Sequence, residues 1–276
     1  MRIPFKKDKS GNNKLDKEQK TSKGLSKLNK CLKKYLHPQK GNINILVLAV
    51  AIIVFIGVVL ALFSFNGNPV AISTTSSQVS STILAKTNDS YVTKEGPYGN
   101  TSSNVTIAYI VGVHPRESAA HQAIIESIRE SDASLEKQYY LYIINAPLYE
   151  DNYPQERMNG QLLANKYVVP DIINNSYQLA VDVHSSNGSY SSNRFVFTPI
   201  QDNKSMSIAR ELKNKISWLK YYYPPDPSST EYVTTPLIKA GIPSIVYETY
   251  KYDSNTTTRE HAKEFIEVID ESQLFT

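Results

Sequence analysis

Residues 106–120 read TIAYIVGVHPRESAA. Thr106 to Val113 is an apolar run rich in β-branched residues and predicts a buried strand. Pro115 has no amide proton to give to a ladder, so the strand must stop at His114-Pro115. From Glu117 the apolar residues Ala119, Ala120, Ala123, Ile124 and Ile128 recur at helical spacing and predict a helix over 117–129. His114 is thereby placed at the C-terminal tip of a strand, and Glu117 in the first turn of the next helix. Open α/β sheets bind ligands along that edge. A histidine and a carboxylate three residues apart across such a turn can converge on one cation. A surface histidine followed by a glutamate that favours a helix N-terminus explains the same residues without a ligand.

Outward from this stretch, strands and helices alternate. Strand-like runs cover Gln138–Ala146, Tyr177–His184, Arg194–Thr198 and Pro243–Thr249, and helix-like runs cover Lys204–Trp218, part of Thr230–Ala240, and Thr258–Ile269. The alternation predicts a three-layer α/β sandwich with a mixed, mostly parallel sheet over residues 101–276. There is no internal repeat and no glycine-rich phosphate loop.

The front of the chain is of another kind. Residues 1–42 carry 13 Lys/Arg against 3 Asp/Glu, while residues 43–276 carry 17 against 23. A polar, Lys-rich segment of that composition cannot bury a core. It reads as a basic cytoplasmic tail, because residues 43–65 follow as a transmembrane helix. Within them Ile45 to Phe63 is 19 residues without a polar side chain, long enough at about 1.5 Å per residue to cross a bilayer of roughly 30 Å. The positive-inside rule sets the N-terminus in the cytoplasm and the remainder outside, on a single span at the cell membrane. A cleaved signal peptide would have shorter basic and apolar regions. No nucleic-acid partner is expected. Residues 66–100 read as a Ser/Thr-rich stalk: eight of the ten residues from Ser73 to Thr82 are Ser or Thr. Glycosylation triplets begin at Asn88, Asn100, Asn104, Asn174, Asn187, Asn203 and Asn255, all after the apolar run, as an exterior glycoprotein would have them. Cys31 is the only cysteine, so the exterior domain relies on its core and not on disulfides.

Several segments deliver a polar residue to a strand end or to the loop beyond it. LAVDVHSS ends at His184 with Asp182 two residues earlier, IPSIVYETY carries Glu248, and a loop after YYLYIINAP carries Arg157. Singly, each has an ordinary explanation as a solvated or satisfied side chain. Together they describe a site along one sheet edge.

GVHPRES resembles the zinc-ligand segment of carboxypeptidase A-like zinc carboxypeptidases, VHSSNG the segment of their second ligand histidine, and VYET the segment of their catalytic glutamate. The D-x-H form at Asp182–His184 is similar to the succinylglutamate desuccinylase/aspartoacylase group. The resemblance covers about Thr106 to Phe265 and implies Zn2+ held by His114, Glu117 and His184, with Glu248 as base. It implies a peptide or N-acyl amino acid substrate. Zinc accepts imidazole and carboxylate ligands, and a catalytic site with three of them keeps one position for water. Arg157, after Asn145-Ala146-Pro147, is similar to the arginine that polarises the scissile carbonyl. Arg116 and Asn159 are candidate substrate-binding residues. Asp182 is either a partner for a ligand histidine or an ordinary alternating strand residue.

One departure bears on specificity. Carboxypeptidases hold the substrate's terminal carboxylate with an Asn-Arg pair, and here no arginine lies between Arg157 and Arg194. Amide-cleaving or endo action stays open. Tyr221–Pro225 reads as a rigid aromatic loop near the pocket or an ordinary packed loop, and His121 and His261 as structural or exposed helix residues. The expected function is a membrane-anchored, extracytoplasmic zinc-dependent hydrolase of peptide or amide bonds. Its location suggests cell-wall peptides. The alternative is a catalytically inactive peptide- or wall-binding module on the same fold.

Overall fold

The computed structural model describes residues 79–227 and 229–275. The basic tail and the apolar run at 43–65 lie outside these residues. Among the described residues no helix is long and apolar enough to cross a membrane.

An eight-stranded sheet runs through the domain in the order β1-β2-β4-β3-β5-β8-β6-β7. Its strands are β1 (Ser80–Lys86), β2 (Tyr91–Gly99), β3 (Thr106–Val111), β4 (Gln138–Asn145), β5 (Leu179–Ser186), β6 (Phe195–Phe197), β7 (Lys220–Tyr221) and β8 (Ser244–Tyr250). The four central strands, β4, β3, β5 and β8, are mutually parallel. β2 and β6 flank them antiparallel. Helices α1 (Ser118–Ser131), α2 (Tyr153–Leu163), α3 (Val169–Ile173), α4 (Asn203–Lys215), α5 (Thr234–Lys239) and α6 (Asn255–Glu271) complete the domain. A single π turn, Ala164–Val168, joins α2 to α3.

Alternation along the central strands sorts residues between two cores. Ile107, Tyr109 and Val111 of β3, with Leu179, Val181 and Val183 of β5, pack with Ile124 and Ile128 of α1, Leu212 of α4 and Phe265 and Ile269 of α6. Ala108, Ile110 and Ala180 face the other way, toward Val168, Ile172 and Leu237. The parallel strands are covered on both faces and so read as near-continuous apolar runs. Asp182 and His184 fall on the second face by the same alternation. In parallel register His184 pairs with Glu248 on β8, so the two side chains share a face.

From β3 the chain crosses to β4 on one side and then returns past β3 to β5 on the other. The order reverses at the β3–β5 boundary, where the crossovers open a crevice at the strands' carboxyl ends. His114 and His184 sit at that boundary.

The expected stalk at 66–100 ends earlier than its composition indicates. Residues 80–86 and 91–99 are strands, not spacer. β2 pairs with β4 from Tyr91↔Asn145 to Gly99↔Gln138 and buries Val92 and Tyr98. Serine and threonine obscured the strand pattern, but edge strands tolerate them. Burying one side chain such as Val92 contributes about 1.5–3 kcal/mol. The segment 79–276 is therefore expected to be soluble and to unfold cooperatively. The segment 101–276, which exposes the β4 edge as a template for association, is expected to aggregate or melt well below it. Equal melting temperatures and monomeric elution of both would contradict this boundary.

Candidate metal centre

β3 ends at Val111, and Gly112 follows with φ +89°. A Cβ there would stand 1.9 Å from the carbonyl oxygen of Ile144, so glycine is required. His114 is extended, and Pro115–Glu117 makes one 3₁₀ turn before α1. Glu117 thus lies just ahead of α1 and not within its first turn. The turn is closed by Glu117 N donating to His114 O at 3.1 Å, which folds the carboxylate back toward the histidine.

Three side chains meet there. His114 Nδ1 lies 3.0 Å from Glu117 Oε1 and 3.0 Å from His184 Nδ1, and His184 Nδ1 lies 3.1 Å from Glu117 Oε2. Their ligand atoms all fall within 4.8 Å of one another. Both histidines are buried. Without metal the Glu117 carboxylate can accept from both Nδ1–H groups, one on each oxygen, but the two N–H groups then lie 3.0 Å apart. A cation satisfies every side at once, and the mixed imidazole–carboxylate set suits a divalent metal.

The outward nitrogens also have polar neighbours. His184 Nε2 lies 3.0 Å from Asp182 Oδ1, close enough for an ion pair but angled outside hydrogen-bond geometry. Asp182 Oδ2 accepts from Thr234 Oγ1 of α5 at 3.0 Å. His114 Nε2 lies 3.0 Å from Gln161 Nε2. Asp182 therefore stands directly behind His184, between it and α5.

Gln161 belongs to α2, where the sequence indicated a loop around Arg157. Asn152 caps this helix by accepting from Gln155 N, and Pro154 enters its first turn. α2 holds the His114–Glu117 turn through three side chains. Glu156, fully buried, receives Arg116 Nε at 3.0 and 3.1 Å. Arg157 Nη1 donates to Glu117 Oε1 at 3.3 Å. Gln161 reaches His114. Burial pushes the Glu156 carboxyl up, but the Arg116 hydrogen bonds and the Tyr149 amide outweigh it and hold it below the usual range.

His114, Glu117, Arg116, Arg157 and Glu248 line one cavity of about 240 Å³, with Ser185, Asn187, Tyr190 and Lys251 among the other walls. Burial pushes the Glu248 carboxyl up to about 8; His184 and Arg157 oppose the rise, while Glu117 and Asp182 add to it. Arg116 reaches the cavity but is engaged by Glu156 and by the Tyr149 carbonyl at 2.8 Å. Asn159 is not brought to the cavity. Its amide is taken by Gln155 and Tyr149, on the far side of α2. Pro224 and Pro227 line the cavity, whereas Tyr222 and Tyr223 pack on Phe195 and Phe197. His121 is buried and meets Val183 O at 3.2 Å, and burial pushes it down to about 4. His261 stacks on Trp218. Both are structural.

No protein-family profile matches the chain, and no curated protein matches it in sequence. Solved structures do match. A Burkholderia mallei protein provisionally named a carboxypeptidase superposes with TM-score 0.50 at 13% identity, over 70% of this chain and 63% of that one. A metallo-carboxypeptidase from Pseudomonas aeruginosa gives 0.49 at 11% identity, over 68% and 62%. A succinylglutamate desuccinylase/aspartoacylase from Rhodobacter sphaeroides gives 0.42 at 14%, over 70% and 64%. The chain thus spans less than two thirds of the length of each. At 13% identity the Burkholderia mallei likeness shows the fold alone.

Without metal, burial works against a charged His184, but Asp182 and Glu117 outweigh it and hold its pKa well above the ordinary value. The imidazolium must lose that proton to become a ligand. Binding of a divalent metal near pH 7 is expected to release about one proton per metal, and the apparent affinity is expected to fall about tenfold per pH unit on acidification. Titration calorimetry in buffers of different ionisation enthalpy reads this directly. Heats independent of the buffer would contradict it.

Proposed function

We propose that this chain is a zinc-dependent hydrolase of peptide or amide bonds. The observation that carries the reading is the meeting of His114 Nδ1, His184 Nδ1 and the Glu117 carboxylate in a cavity that also holds Glu248 and Arg157. Zinc held by these three residues would supply Lewis acidity, acidifying water and polarising a carbonyl.

The chain's own residues provide the remaining chemistry. Glu248 is the general base: burial raises its carboxyl into the range where it can both take and return a proton near neutrality. A cation in the adjacent triangle would draw it lower and favour the carboxylate form that accepts. The proton so taken is available to the leaving amine. Arg157, tied to Glu117 and to Tyr153 Oη at 3.2 Å, presents positive charge to the cavity where an oxyanion develops. Asp182 and Gln161 orient the two histidines from behind.

The substrate class is a peptide or an N-acyl amino acid. No Asn-Arg pair lies between Arg157 and His184; of the cations that line the cavity, Arg116 and Arg157 are paired with Glu156 and Glu117, and Lys251 has no ion-pair partner among the described residues. The domain's placement outside the cell, on the anchor read at 43–65, makes cell-wall peptides the first substrates to try.

Glu248→Gln keeps the side-chain shape and cannot accept a proton. Zinc content is expected to stay near one per chain, while turnover on a panel of peptides and N-acyl amino acids falls by about 10²–10⁴-fold. His184→Ala is expected to lose zinc and turnover together. Full activity in Glu248→Gln would overturn the assignment of the base. A zinc-loaded wild type inert on the whole panel would move the reading to a binding module on this fold.

A further inference from the structure

Gln161 belongs to no motif, yet it is one of the few polar side chains buried beside the centre, 4% exposed. Its position depends on its neighbour. A Cβ on Gly160 would stand 2.0 Å from the carbonyl oxygen of Val113, so the glycine lets α2 lie directly on the backbone that precedes His114. The next side chain along the helix then falls 3.0 Å from His114 Nε2.

An amide offers that nitrogen two different partners. As it lies, Gln161 turns its Nε2 toward His114, and an amide N–H donates. His114 then carries its proton on Nδ1, where it can donate to Glu117 Oε1 at 3.0 Å. A half-turn of the amide replaces the nitrogen with Oε1, which accepts. His114 must then be protonated on Nε2, and Nδ1 presents an electron pair to the triangle. The imidazole has one proton for two nitrogens, so the amide's orientation and the histidine's tautomer change together.

We propose that Gln161 is the positioning residue that sets the tautomer of His114, donating in the metal-free protein and accepting when zinc is bound. This rests on the zinc reading above. It also distinguishes the two histidines. Asp182, beside His184, can only accept when ionised, whereas Gln161 can serve either state of His114. A glutamate at 161 would accept only, and so would favour the zinc-binding tautomer at the expense of the metal-free one.

The test uses the full chain with zinc as the only added ligand, and three proteins: wild type, Gln161→Leu and Gln161→Glu. Zinc affinity is read by chelator competition and metal-free melting temperature by calorimetry. The protonated nitrogen of His114 is read by NMR on 15N-histidine-labelled wild type, which contains five histidines. Gln161→Leu is expected to bind zinc about 10–100-fold more weakly. Gln161→Glu is expected to bind at least as tightly as wild type and to melt lower without metal. In wild type the His114 proton is expected on Nδ1 without zinc and on Nε2 with it. Zinc binding by Gln161→Leu at wild-type strength, or a His114 tautomer unchanged by zinc, would overturn the inference while leaving the zinc reading intact. The tautomer measurement needs no mutant and holds even if a variant misfolds. A wild type that binds no zinc would instead defeat the functional reading first.

Discussion

Two imidazole nitrogens and a carboxylate that meet at about 3 Å in a buried space hold three ligand atoms where one cation could replace the protons between them. That constraint organises the molecule around the centre. The sheet order reverses at the boundary between β3 and β5, which brings two histidines 70 residues apart onto neighbouring strand tips. The 3₁₀ turn adds Glu117 from the same side. Behind each histidine stands a second polar group, Gln161 or Asp182, and Arg157 places positive charge beside Glu117. Removing any one of these would leave a buried polar atom without its partner, the costly outcome in a low-dielectric interior.

The centre and its support were not equally legible in the sequence. The central strands announce themselves as apolar runs because both faces of a parallel sheet are covered, and their polar tips stand out by contrast. His114, Glu117, His184 and Glu248 could therefore be singled out together. α2 could not. Its buried residues are Glu156, Gly160 and Gln161, so the apolar periodicity that marks a helix is absent, and a proline near its start reinforces the impression of a loop. The helix is held instead by what it does for the turn below it: an ion pair to Arg116, a hydrogen bond to Glu117 and an amide to His114.

The same oversight explains Asn159. Without the helix, Asn159 and Gln161 are equivalent candidates two positions apart. On a helix, two positions are about 200° of rotation, so the two residues face opposite sides. Arg157 and Gln161, four apart, share a side. The stalk boundary failed for a related reason. β1 and β2 close one end of the sheet, where serine, threonine and charged residues are at home, and what ties this pair into the sheet is the pairing of β2 with β4. That partner is distant in sequence and leaves no local mark. The motif signals lie in the residues that face the centre; the architecture that aims them lies in residues whose partners are remote.

The account stands most directly on which atoms bind the metal. A crystal structure of the zinc-loaded chain, with zinc located by its anomalous scattering, reads this without reference to any substrate. The account predicts one zinc ion bound by Nδ1 of His114, Nδ1 of His184 and the Glu117 carboxylate, with Glu248 unbound and facing the same cavity. Zinc held through Nε2 of either histidine, zinc bound by Glu248 in place of Glu117, or no zinc at the junction of β3 and β5 would contradict it.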